Sequence, residues 1–153
     1  MIKMLIQETS SPEDLATCAD IWLESSLTAH SFISADFWRK NYEAMACRYL
    51  PASRVLLALA DKEAAGFAAV KDGELAALFV RPAFQKRGLG FALLQKALSM
   101  EKNLRLTVYA KNHQAINFYS RHGFAKGAQS VCPLTGEAEM EMHKKAPAAS
   151  GEG

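Results

Sequence analysis

The chain has 153 residues, of which 50% are hydrophobic and 22% charged, and 18 basic against 16 acidic side chains leave a net charge of +2. That length suits one ordinary domain with a single core. The weak positive charge speaks against a dedicated nucleic-acid binder, and the absence of any run of about 18 apolar residues speaks against membrane insertion.

The opening MIKMLIQETSSPED carries no apolar stretch of signal-peptide length, so the expected compartment is the cytoplasm. Cys18, Cys47 and Cys132 are odd in number and far apart, which matches neither a disulfide framework nor metal-ligand spacing, and they read as reduced packing residues. No metal is expected.

In chain order, Met4 to Glu8 reads as a strand. Ser10-Ser11-Pro12-Glu13-Asp14 then carries hydroxyl caps, a first-turn proline and carboxylates at the positive end of a helix dipole. The helix that follows runs to about Ser26, with Leu15, Cys18, Ala19, Trp22 and Leu23 on its inner face. A second helix is expected from Ser34 or Asp36 to Tyr49, where Pro51 stops it. From Arg54 the pattern changes to short apolar runs, VLLALA, AAGFAAV and ELAALFV, divided by Asp61-Lys62-Glu63 and Lys71-Asp72-Gly73. Asp-Gly is a hairpin signal, and three adjacent antiparallel strands are the simplest arrangement.

After Arg81-Pro82 comes QKRGLG, residues 85–90, followed by a helix whose face is Leu89, Leu93, Leu94, Ala97 and Leu98. Leu104 to Tyr109 alternates as a strand. Asn112 can cap a helix ending at Arg121 or His122, with Gly123 as its left-handed terminator. Two more strands fit within Phe124–Ser130 and Ala138–His143. Residues 1–145 are thus expected to form one α/β domain with a mixed, mostly antiparallel sheet flanked by helices, and the small polar stretch 146–153 to be a frayed tail. Oligomeric state leaves no trace in this pattern.

The loop Gln85, Lys86, Arg87, Gly88, Leu89, Gly90, Phe91 combines two cations, glycines that let an anion approach the backbone, and amides at a helix start. A diphosphate is its natural guest. A Walker loop is excluded because GxxxxGK with Ser or Thr is missing, and a dinucleotide fold fits poorly because GLGFAL lacks its third glycine and residue 108 is Val108 rather than an acid. A tight strand-to-helix turn with no ligand is the plain alternative.

The segment LFVRPAFQKRGLGFALL resembles the acetyl-coenzyme A signature of the GNAT superfamily of N-acetyltransferases, and VYAKNHQAINFYSRHGF is similar to the later motif of the same superfamily. Together they cover residues 75 to 124. IWLESSLTAHSFISADFWR further resembles the corresponding region of bacterial YiaC/YjaB-type acetyltransferases. The resemblance implies transfer of acetyl from acetyl-CoA to a primary amine, either a protein lysine or N-terminus or a small amine. It places the pantetheine arm along Leu78-Phe79-Val80 and the pyrophosphate on Lys86 to Phe91. It makes Tyr119 the acid for the leaving thiolate, and Asn112 and Asn117 further coenzyme contacts.

An amine acceptor is mostly protonated near neutrality and needs a base. The residue that aligns with a glutamate in several family members is Thr107, which cannot serve efficiently. Glu74, at a strand start, and His30, in SLTAHSF, are the remaining base candidates; His30, Phe32 and Trp38 are candidates to line the acceptor pocket. Aromatic packing is the alternative role of Tyr119 and the default one of Phe32 and Trp38, and a helix N-cap is equally satisfied by Asn112. A catalytically silent acyl-CoA-binding module is the alternative function, and Thr107 is the feature in its favour.

Overall fold

The computed structural model describes residues 3–144, and the expected tail 146–153 lies outside them. The chain divides into two compact units after Met100.

The first unit opens with β1 (Met4–Thr9) and α1 (Pro12–Ala29). Ser11 Oγ accepts the Asp14 N–H at 3.1 Å, and Glu13 and Asp14 occupy the first turn, so the helix begins where the capping residues indicate. It outlasts the expected end by three residues, closing at His30, whose N–H donates to the Ser26 carbonyl at 2.9 Å.

The single helix expected to Tyr49 is broken into α2 (Ala35–Lys40), α3 (Tyr42–Ala44) and a π-helical turn over Met45–Tyr49. Asn41 is the cause. Its side-chain amide donates to the Phe37 carbonyl at 2.7 Å and competes with the helical ladder at that point.

Strands β2 (Arg54–Ala60), β3 (Glu63–Lys71) and β4 (Glu74–Val80) form the expected antiparallel run, and β1 adds antiparallel to β2 at the edge. Asp72 and Gly73 both have positive φ, 50° and 78°, the geometry that makes Asp-Gly a hairpin turn. Residues 65–70 of β3 are buried without interruption, so both faces of this strand are covered; α1 packs on β3 and β4, and α4 (Leu89–Met100) packs on β2, β3 and β4. Phe67, fully buried in that strand, anchors the core, and its truncation to Ala would cost about 3–5 kcal/mol.

The second unit holds β5 (Arg105–Tyr109), α5 (His113–Arg121), β6 (Phe124–Val131) and β7 (Ala138–Lys144). Strand β7 pairs antiparallel with both β5 and β6. Gly123 ends α5 with φ 89°, as its position in the sequence requires. The α/β class and the mostly antiparallel pairing expected from the sequence are those of the structure.

Candidate active site

The glycine loop is built as a bridge between β4 and α4. Val80 ends the strand, Pro82–Phe84 form one 3-10 turn, and Gln85 Nε2 donates back to the Val80 carbonyl at 2.9 Å, which holds the loop closed across its base. Lys86 and Gly88 then take positive φ values of 65° and 85°. A Cβ on Gly88 would meet nothing within 4 Å, so its glycine is required by backbone conformation rather than by space.

The Ala92 N–H to Gly88 carbonyl bond, 3.0 Å, is the first rung onto this glycine, which leaves the Leu89 and Gly90 amides ahead of the helical ladder. No acidic residue lies in the first turn of α4. Lys86 and Arg87 are exposed and form no ion pair among the described residues, while the Arg87 guanidinium sits 5.8 Å over the Phe84 ring. Buried Leu89, Leu93, Leu94 and Ala97 hold the helix down, and Phe91 projects outward. The result is a fixed helix start with uncompensated positive potential, a place where an anion is stabilised.

Leu78, Phe79 and Val80 are half-buried and pair with Ala68, Phe67 and Gly66 of β3. A Cβ on Gly66 would come within 2.7 Å of the Phe79 carbonyl oxygen, so that glycine permits the close approach of β3 to the end of β4. Arg81, which the sequence reading passed over, fastens the same strand end. Its N–H donates to the Ala65 carbonyl at 2.8 Å, its Nη1 to the Ala64 carbonyl at 3.2 Å, and its Nε lies 3.2 Å from the Glu24 carboxylate on α1. The Arg-Pro dipeptide was visible, but its partners are distant in sequence.

The acceptor-side candidates form one aromatic cluster. His30 stacks on Trp38 with ring centroids 5.3 Å apart, meets Phe32 edge-on at 5.8 Å, and lies 6.3 Å from the Phe79 ring of β4. His30 is 8% exposed, and burial pushes its pKa down to about 4, so the ring is neutral near pH 7 and weakly basic. Glu74 is not part of this cluster. It sits five residues before Phe79, roughly 16 Å along the strand, opposite Lys71 of β3.

In the second unit Asn112 Oδ1 accepts the Ala115 N–H at 3.2 Å and so caps α5. Tyr119 follows it by seven residues on the same helix face, buried beside Phe118 and Phe124, and burial pushes its phenol pKa up. Asn117 is exposed, about 200° around the helix from Tyr119, so the two are not brought together on α5. Thr107 is exposed on β5, and its partner in register is Glu141 of β7. Directly paired residues share a face, so a carboxylate stands one strand away from the threonine; this neighbour depends on strand pairing and escapes a linear reading.

Of the three free thiols, Cys18 and Cys132 are buried and Cys47 is exposed, which corrects the expectation that all three pack inside. The cysteine on the π-helical turn faces outward because that turn buries Met45 instead. No group of residues able to hold a metal ion occurs among the described residues, and no described helix is long and apolar enough to cross a membrane.

The model of the acetyltransferase (GNAT) family matches residues 15–124. The chain is 37% identical over 121 residues to the peptidyl-lysine N-acetyltransferase YiaC of Escherichia coli (strain K12), covering 78% of this chain and 82% of that protein. Its fold matches the solution structure of apo YjaB from Escherichia coli with a TM-score of 0.82 at 25% identity, over 95% of this chain and 99% of that one. It also matches the PaiA N-acetyltransferase from Thermoplasma acidophilum, solved in complex with coenzyme A, with a TM-score of 0.76 at 23% identity, over 94% and 99% of the two chains. The protein belongs to the acetyltransferase (GNAT) family and is an N-acetyltransferase.

Proposed function

We propose that this enzyme transfers acetyl from acetyl-CoA directly to a primary amine, with a protein lysine as the acceptor class. The observation that carries the reading is the start of α4: the Leu89 and Gly90 amides ahead of the helical ladder, no first-turn acid, and two cations without an ion pair among the described residues, fixed to the end of β4 by Gln85. A diphosphate of coenzyme A suits that chemistry. Support for the donor comes from the coenzyme A complex of the PaiA relative, and support for the acceptor from the peptidyl-lysine activity named for YiaC. The family match runs from residue 15 to 124, across both compact units, which favours a single acetyltransferase domain over residues 1–145. The free thiols favour a reducing compartment such as the cytoplasm.

In this reading the amine nitrogen attacks the thioester carbonyl, the C–N bond forms, the C–S bond breaks, and the thiolate takes a proton. Leu78, Phe79 and Val80 orient the pantetheine arm, and Gln85 to Phe91 with Asn112 hold the rest of the coenzyme, while Asn117, on the face of α5 away from Tyr119, takes no part. Tyr119 supplies the proton. Burial keeps its phenol protonated and on that account opposes the transfer, but a thiolate formed out of water is raised in pKa by the same desolvation. His30, Phe32 and Trp38 line the acceptor side. With a pKa of about 4, His30 is a poor base for an ammonium ion near 10.4, so it orients the amine, and the proton leaves to solvent water, Glu74 standing too far along β4 to take it directly.

One experiment tests this reading. The protein is titrated with acetyl-CoA and free CoA, and thiol release is then measured with lysine peptides and polyamines. Binding with peptide-dependent release establishes the lysine acceptor, release with polyamines alone moves the acceptor to small amines, and binding without release, or absence of binding, refutes the reading.

A further inference from the structure

A second concave site lies in the first unit, between α1, the π-helical turn and the β3–β4 hairpin, with a cavity volume of about 250 Å3. Three alanines line it, Ala69 and Ala77 buried and Ala76 exposed. The register of β3 and β4 shifts there: Ala69 pairs with Ala77 and Val70 with Leu75, so Ala76 has no partner and bulges out of the ladder. The small side chains remove bulk at the point where the strand bends.

The walls are Trp22, Met45, Tyr49 and Leu50. The Leu50 N–H reaches five residues back to the Met45 carbonyl at 3.0 Å, and this wider turn lines the cavity together with the alanines. Tyr49 is 51% exposed at the rim, so entry requires no opening of the core.

Its polar lining residues are Ser53 and Lys71. The Ser53 hydroxyl already donates to the Tyr49 carbonyl at 3.0 Å, which leaves the Lys71 ammonium as the donor there. Lys71 makes no ion pair among the described residues, although Glu74 is opposite it in register. A slot lined mostly by apolar side chains, with one cation among them, defines its guest by shape and charge. A cavity of about 150 Å3 is enough for benzene, so 250 Å3 takes an aromatic ring with a short carboxylate arm.

We propose that this cavity is a binding site for a small arylalkyl carboxylate, with the ring on Ala69, Ala76 and Ala77 and the carboxylate on Lys71 Nζ. Nothing in this assignment depends on acetyl transfer.

Calorimetric titration of the full chain with phenylacetate, phenylacetamide and phenethylamine tests it. Phenylacetate is expected to bind about tenfold more tightly than the amide, as a charge-assisted contact requires, and phenethylamine most weakly. Lys71→Met should erase the difference between acid and amide, and Glu74→Gln should strengthen binding of the acid. Ala76→Phe, a change at an exposed position that fills the slot, should abolish binding of both ligands with the melting temperature held. Should Ala76→Phe unfold the chain, the Lys71→Met comparison stands by itself. The proposal is overturned by absence of phenylacetate binding, by phenethylamine binding as tightly as the acid, by an unchanged preference in Lys71→Met, or by undiminished binding to a folded Ala76→Phe protein.

Discussion

Apart from the three-residue α3, the described helices of this protein begin in two different ways. At α1, α2 and α5 a side chain of the chain itself closes the first turn: Ser11, Ser34 and Asn112 each accept an amide, and α1 and α2 add first-turn carboxylates. At α4 there is no such carboxylate, a positive-φ glycine precedes the helix, and Lys86 and Arg87 raise the local potential further. Capping stabilises a helix by about 1 kcal/mol. Forgoing it at one helix while adding like charge there makes sense when an external anion completes the turn. The contrast separates ends built for folding from an end built for a ligand.

Gly88→Val should break that contrast most severely. A β-branched residue at φ 85° forces the loop to rearrange, and affinity for acetyl-CoA is expected to fall by more than about 100-fold in calorimetry. Gly136 provides the control. It has φ 75° and, like Gly88, nothing within 4 Å of an added Cβ, yet it lies in the turn between β6 and β7. Gly136→Val should strain the backbone equally and leave coenzyme affinity within a factor of about two. Equal losses in the two variants would mean that general destabilisation, rather than the anion site, governs binding.

The other end of α1 gives the next effect. Burial disfavours the cation of its closing residue His30 and pushes the pKa from the ordinary imidazole value of about 6.5 down to about 4. Protonation therefore favours the unfolded state. The stability that neutral His30 allows is complete above pH 6.5 and is lost as pH falls toward 4, by about 2 kcal/mol after allowance for partial exposure. Denaturant melts at pH 7 and pH 4.5 should show this loss in the native sequence and a smaller one in His30→Gln. An identical pH dependence in both would remove His30 as its source.

Much of this was legible in the sequence, and the limits have physical causes. Caps, Asp-Gly turns and alternating apolar runs are local signals, so α1, the β2–β4 meander, α5 and the Gly88 loop were placed closely. The break at Asn41 was missed because a side-chain amide bonding to the Phe37 carbonyl looks, in sequence, like any polar position on a helix. Arg81 with Glu24, and Thr107 opposite Glu141, are pairings of residues far apart along the chain, and only the register of strands and the packing of α1 reveal them. The cluster of His30, Phe32 and Trp38 was inferred as a neighbourhood, but the depressed pKa of His30 follows from the depth of burial, which composition does not report.

Gly90→Asp turns the comparison into a graft, since it gives α4 the first-turn acid that α1 has. The carboxylate complements the helix dipole and repels a diphosphate, so acetyl-CoA affinity should fall about tenfold while the melting temperature stays level or rises. The affinity loss should shrink with added salt. A loss unaffected by salt would point to steric obstruction instead.

Asn112→Ala carries the smallest effect and is the sharpest test of the helix ends assigned to folding. Removing the cap of α5 leaves the Ala115 amide without its 3.2 Å acceptor and should cost about 1 kcal/mol in a denaturant melt. Asn112→Ser restores an N-cap oxygen and should recover that stability. Coenzyme affinity decides the remaining role. If Asn112 only caps, affinity follows stability and returns in the serine variant; if it also touches the coenzyme, affinity stays low in serine while the melt recovers, because the shorter hydroxyl satisfies the helix without reaching beyond it.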